Sequence, residues 1–192
     1  MHKLITSSVT LLTLLFSLIC PVFAVDETTA FDLSPAGLQF IKQYEKEHSQ
    51  EINEKQEEEL LRETMLPYIK QVNQFINNHN IEIQQHQFDA LVSFTYSLGS
   101  SWMNPSNRFT SYVIQGIDQY EDAEIIDSMG VWCHVKSTVN EAYLQRRIDE
   151  GRLLLYGDYD SKNSTEFHYL ILDPTEGYLE NDVVCYEAGK PY

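Results

Sequence analysis

One glutamate stands at a position in this sequence that suits a catalytic acid. Glu45 ends the stretch "LSPAGLQFIKQYE" (33–45), in which Leu38 and Ile41 form an apolar stripe at helical spacing. A carboxyl group at the edge of an apolar face can act as a general acid when burial raises its pKa, because it then holds a proton near neutral pH. The alternative is an ordinary surface glutamate at the end of a helix.

A pair of arginines, Arg146 and Arg147, lies in the helical pattern "NEAYLQRRIDEGRLLLYG" (140–157). Such a pair is more often a solvated or salt-bridged helix face than part of an active site. The histidines are scattered without metal-ligand spacing, and no CxxC motif is present. We therefore expect no metal site and no cofactor.

The elements that must position these residues are mostly helical. Ser34 and Pro35 are typical of a helix start, and Asn53 with Gln56 has the spacing of a capping box. That box opens a long helical pattern that Pro67 is expected to kink or divide. The stretch "QFDALVSFTYSLG" (87–99) has one strongly apolar face and ends in glycine, which predicts the central core helix.

The C-terminal part of the chain has a different pattern. Residues 166–187 alternate in polarity around the turn sequence "PTEG", which predicts a β-hairpin behind the helices. The fold class is therefore mainly α with a small C-terminal β-hairpin.

The first 24 residues have the features of a secretory signal peptide. Lys3 is followed by the apolar run "LLTLLFSLIC" and by "VFA", which favours cleavage after Ala24. The run is short for a membrane span, and Ile19 and Pro21 make Cys20 a poor lipidation site. We expect a secreted or periplasmic protein with no stable membrane anchor. Cleavage would leave 168 of the 192 residues, which suits one domain.

Cysteines and charge limit the remaining possibilities. Export would expose Cys133 and Cys185 to an oxidising compartment, where one disulfide is plausible and two buried thiols are the alternative. The net charge of −16, which becomes −17 when Lys3 is removed, disfavours nucleic acid and anionic membranes as partners.

Three blocks, in order, resemble the phage-type lysozymes of glycoside hydrolase family 24: "LSPAGLQFIKQYE", "QFDALVSFTYSLGSS" and "GVWCHVKSTVNEAYLQRRIDEGRLLLYGDY". Ser97 stands where this family usually has asparagine. The resemblance implies a lysozyme-like helical domain over 25–160, after the signal peptide 1–24 and before an extension, 161–192, that holds the hairpin.

The same resemblance implies a reaction and a substrate. The family hydrolyses the β-1,4 bond between N-acetylmuramic acid and N-acetylglucosamine in peptidoglycan. It would make Glu45 the general acid and Arg146 or Arg147 its salt-bridge partner.

The sequence departs from the family after Glu45. The family continues with a β-hairpin lobe that carries an aspartate and then a threonine, whereas this chain has Glu54 and Leu60 inside a helical pattern. An inverting pair of carboxyl groups needs roughly 6.5–9.5 Å between its members. The protein is then either a peptidoglycan hydrolase or an inactive relative that binds a partner protein of the cell envelope or cell-wall glycan. In a third possibility the C-terminal hairpin folds back and supplies the second carboxylate, from Asp173, Glu176, Glu180 or Asp182.

Overall fold

The computed structural model describes residues 30–45, 54–136 and 138–161, together with the backbone of four strands between 165 and 186. The expected signal peptide, residues 1–24, and the segment 46–53 lie outside the described residues. Export and cleavage therefore stay predictions.

Helices make up most of the described chain. The α-helices are α1 (Pro35–Lys42), α2 (Glu54–His79), α3 (Gln85–Leu98), α4 (Arg108–Gln115), α5 (Asp122–Gly130) and α6 (Glu141–Tyr156). Short 3-10 turns span Gly99–Met103, Ile117–Gln119 and Val131–Cys133. None of the helices in the described ranges is both long enough and apolar enough to span a membrane.

The strands are short and antiparallel. They are β1 (His134–Val135), β2 (Thr138–Val139), β3 (Thr165–Phe167), β4 (Leu170–Asp173), β5 (Gly177–Glu180) and β6 (Val184–Tyr186). β1 pairs with β2, β3 with β6, and β4 with β5, so the last four strands form one long hairpin in two parts. β3 lies against α5, and β4 lies beside β2. The predicted fold class, mainly α with a C-terminal hairpin, is confirmed.

Helix starts follow the local sequence. The Ser34 hydroxyl accepts a hydrogen bond from the Gly37 N–H at 2.9 Å, and Pro35 occupies the first turn of α1. Pro67 lies inside a single continuous α2, so it does not divide the helix.

Helix α3 is the centre of the core, as its apolar face predicts. Phe88, Leu91, Val92 and Phe94 are fully buried, and α1, α2 and α6 all pack against this helix. The ring of Trp102 is 5.7 Å from that of Phe94, in an edge-to-face arrangement within a buried aromatic cluster. α3 thus provides the wall on which the candidate site is built.

A buried aspartate fixes the start of α1 against α3. Asp89 accepts hydrogen bonds from the Ser34 N–H at 3.1 Å, the Gln85 side chain at 2.9 Å and the Tyr159 hydroxyl at 2.7 Å. These bonds satisfy the buried carboxylate and join the chain before α1 and after α6 to one point. They therefore help to set where α1 ends and where Glu45 lies.

Candidate functional site

Glu45 lies where three helices meet, just beyond the end of α1. Its backbone N–H donates to the carbonyl of Lys42 at 3.1 Å, and its side chain is 29% exposed. Nη1 of Arg146, from α6, lies 3.9 Å from Oε1 of Glu45. The hydroxyl of Tyr96, from α3, is close enough to the same carboxylate to be affected by its charge. Burial raises the pKa of Tyr96, and the nearby Glu45 carboxylate raises it further.

Arg146 is held in place before any ligand arrives. Its Nε donates to Oε1 of the fully buried Glu150 at 3.0 Å, and Nη2 donates to the hydroxyl of Ser93 at 3.4 Å. The guanidinium carbon lies 4.8 Å from the centre of the Tyr44 ring and 5.7 Å from that of Tyr96. These contacts hold the guanidinium in one orientation toward Glu45.

Arg147 points away from Glu45 and into the helical core. Its Nη2 lies 2.8 Å from Oε2 of Glu150 and donates to the hydroxyl of Ser97 at 2.9 Å. The guanidinium carbon is 4.8 Å from the centre of the Phe94 ring. Burial lowers the pKa of Arg147. Of the two arginines considered from the sequence, Arg146 is thus the one beside Glu45, and Arg147 supports Glu150 from behind.

A second layer of ion pairs lies behind this group. The Tyr44 hydroxyl donates to Oδ2 of Asp149 at 2.8 Å, and Arg152 joins Asp149 at 3.3 Å to Asp158 at 3.0 Å. Burial raises the pKa of Tyr44, and the charge of Asp149 raises it further. Asp149, Arg152 and Asp158 were not among the site residues predicted from the sequence. The i,i+3 spacing of Asp149 and Arg152, repeated by Arg147 and Glu150, was the signal that could have identified them.

The two carboxylates of α6 beside this group are not available to a substrate. Asp149 and Glu150 are buried and ion-paired, so they cannot face a substrate. Only eight residues separate Glu45 from the start of α2, fewer than two strands of ordinary length and a turn require. The side chains of the C-terminal hairpin lie outside the described residues, so its supply of a second carboxylate stays a prediction.

The cysteine prediction needs a correction. Cys133 is a free, buried thiol, so the expected disulfide with Cys185 is not formed in this structure. Burial raises the pKa of Cys133 to about 11, which makes it a weak nucleophile at neutral pH. Across the described ranges, no three side chains of the metal-binding types come together.

Comparisons with known proteins identify the family of this chain. The family model described as phage lysozyme matches residues 36–150. The muramidase domain of SpmX from Asticaccaulis excentricus is 24% identical with a TM-score of 0.50, covering 65% of this chain and 97% of that one. The endolysin from Escherichia coli O157:H7 phage FAHEc1 is 22% identical with a TM-score of 0.49, covering 68% of this chain and 98% of that one. A comparison with curated protein sequences finds no match. Since the family model spans more than half of the sequence, the chain belongs to the phage lysozyme family.

Proposed function

We propose that this protein is exported and binds the glycan strands of peptidoglycan at the surface around Glu45, without hydrolysing them. One observation carries the proposal: the accessible Glu45 carboxylate lies 3.9 Å from Nη1 of Arg146, whereas the neighbouring carboxylates of Asp149 and Glu150 are buried in ion pairs. The site therefore has the groups that hold a polar ligand but only one of the two groups that ordinary glycoside hydrolysis uses.

The surroundings of Glu45 suit a sugar chain. The rings of Tyr68 and Tyr96 lie 5.3 Å apart in an edge-to-face arrangement, and both side chains are half-buried. Tyrosine rings offer an apolar face for a sugar ring and a hydroxyl for hydrogen bonding. Glu45 and Arg146 add an acceptor and a donor for sugar hydroxyl and N-acetyl groups. The choice of peptidoglycan rests on membership of the phage lysozyme family.

The arrangement disfavours turnover for a physical reason. Ordinary glycoside hydrolysis needs a second carboxyl group on the other side of the sugar from the acid, and Asp149 and Glu150 are buried in ion pairs. Eight residues after Glu45 also leave little chain for a second wall that would exclude water from a bound sugar.

A second candidate is a muramidase with Glu45 as general acid. One observation favours it: the carboxylate at the family's catalytic position is 29% exposed and so is accessible to a substrate. In this case one carboxyl group performs both proton transfers, as in a lytic transglycosylase type of reaction.

The experiment combines binding and turnover on insoluble peptidoglycan. The wild-type protein should sediment with the polymer and release no soluble sugar. Glu45→Gln and Tyr96→Phe should each sediment less, whereas Glu59→Gln, a change at an exposed glutamate of α2, should sediment normally.

The other outcomes would refute the proposal. Release of glycan by the wild type that stops in Glu45→Gln would establish the muramidase. Neither sedimentation nor release would exclude both functions and favour a protein partner in the envelope, to be sought by pull-down.

A further inference from the structure

A cleft lies on the other side of α3 from Glu45. This cleft, of about 630 Å³, opens between residues 80–87 and residues 113–118. This volume is within the range of about 300–1,000 Å³ that is usual for ligand sites. Gln87 lines the cleft, and Tyr96 contacts Glu45. Gln87 and Tyr96 are nine residues apart on α3, so they are separated by about 14 Å along the helix axis and lie on opposite faces of the helix. The cleft is therefore distinct from the Glu45 surface.

One wall of the cleft is the segment between α2 and α3, residues 81–84, which belongs to no helix or strand and has extended backbone at Gln84. Ile81 and Ile83 are half-buried, whereas Glu82 and Gln84 are exposed, which is the alternation of a strand. The opposite wall contributes the buried side chains of Val113 and Ile117. The site thus has an apolar base beneath a polar rim.

The extended segment has main-chain groups to offer. The Ile81 N–H donates to the Ile76 carbonyl at 3.0 Å, and the Gln84 N–H donates to the side chain of Gln87 at 2.8 Å. Between them, the main-chain groups of Glu82 and Ile83 form no hydrogen bond within the described part of the chain. An extended peptide recognises an unpaired extended segment through main-chain hydrogen bonds and places alternate side chains in the adjacent depression.

The charge of the cleft selects the ligand further. Glu82 and Asp118 are the charged residues that line it, and no lysine, arginine or histidine does so. Both carboxylates are exposed at the rim, where they can meet a cation without losing much hydration. An anionic ligand would meet two like charges and no counter-charge.

We propose that this cleft binds a short extended peptide that carries a primary amine of the lysine type. The main chain of the peptide pairs with Glu82 and Ile83, its amine reaches Glu82 and Asp118, and its small apolar side chains face Ile81 and Ile117. The inference does not depend on glycan binding at Glu45.

The test is an amide NMR titration of the isotope-labelled full chain with acetyl-Ala-Lys-Ala-amide. Shifts should concentrate in residues 80–87 and 113–118. Replacing Glu82 and Asp118 by Gln and Asn should weaken binding by roughly three- to tenfold, which corresponds to two rim ion pairs. The matched control, Glu59→Gln with Glu63→Gln on the exposed face of α2, should leave the affinity unchanged. A peptide methylated on its main-chain nitrogens should bind more weakly.

Three results would overturn the proposal. Absence of shifts in the cleft would exclude the site. Equal weakening by the α2 control pair would assign the binding to the overall charge of −16. Equal binding of acetyl-Ala-Glu-Ala-amide would remove the role of the two carboxylates. Glu45→Gln should not change the titration, so failure of the glycan proposal and failure of this one can be told apart.

Discussion

Replacing Glu150 by glutamine tests whether the buried ion pairs position Arg146. Glu150 is fully buried, lies 3.0 Å from Arg146 and 2.8 Å from Arg147, and accepts a hydrogen bond from Ser93 at 2.6 Å. Glutamine keeps the shape and one acceptor but removes the charge. Arg147 then loses the carboxylate that neutralises it in the core, and Arg146 loses the anchor behind its contact with Glu45.

The size of the effect follows from this burial. Removing one partner of a buried ion pair costs about 3–5 kcal/mol, because the remaining charge stays desolvated. Glutamine still accepts one hydrogen bond, so we expect a loss of about 3 kcal/mol in the free energy of unfolding. For a chain of this size the melting temperature should fall by roughly 6–12 °C. Urea unfolding and calorimetry measure both quantities.

A partly exposed glutamate in an ion pair provides the control. Glu57 lies 3.0 Å from Lys42, and its side chain is 38% exposed. Glu57→Gln should cost less than about 1 kcal/mol, as exposed pairs usually do. If Glu150→Gln costs no more than Glu57→Gln, the buried network is not what holds Arg146, and the reasoning about a fixed site fails.

Three further predictions concern the supports of the fold. Burial, followed by the hydrogen bond to Asp89, raises the pKa of Tyr159 from 10.0 to about 12. Because the folded state holds the Tyr159 proton more tightly than the unfolded state, this residue's contribution to stability is complete below pH 10 and is lost as the pH rises to about 12. Tyr159→Phe has no proton to lose, so between pH 10 and 12 its free energy of unfolding, measured in urea, should fall less than that of the wild type. Cys133 should resist iodoacetamide at pH 8 in the folded protein and react with it in denaturant, which peptide mass mapping can measure. If Cys133 stays protected in denaturant without reductant, it is in a disulfide and the prediction is wrong. Gly37→Ala would bring its Cβ to 2.6 Å from Cγ of Asp89 and should cost about 1–3 kcal/mol in urea unfolding; a cost equal to that of Ala36→Ser, at an exposed neighbour, would contradict the predicted clash.

The parts of the fold that sequence predicted are those fixed by local pattern. Ser34 and Pro35 start α1 because capping involves neighbouring residues, and Phe88 and Leu91 mark α3 because helical periodicity is local. The hairpin followed from alternation in polarity. Each of these signals lies within a single element, so no knowledge of packing was needed.

The candidate site depends on packing between elements, and sequence could not resolve it. Arg146 and Arg147 are about 100° apart around α6, so one faces Glu45 and the other faces the core. Which one does so depends on how α6 lies against α3. Sequence could not decide between a disulfide and free thiols for the same reason, because a disulfide requires Cα atoms within about 7 Å and cysteine counting carries no distances.

The buried charges behind Glu45 are themselves an argument that the surface binds something. A buried ion pair adds little net stability compared with apolar residues of the same size, because desolvation offsets the attraction. What the links from Glu150 to Arg146 and from Asp149 to Tyr44 do supply is orientation: they hold a guanidinium and an aromatic ring in fixed positions beside an accessible carboxylate. Fixed donors and acceptors lower the entropic cost of binding a polar ligand, whether or not a bond in it is then broken. The network therefore fits the proposed glycan recognition at Glu45, which does not require the second carboxylate that hydrolysis would use.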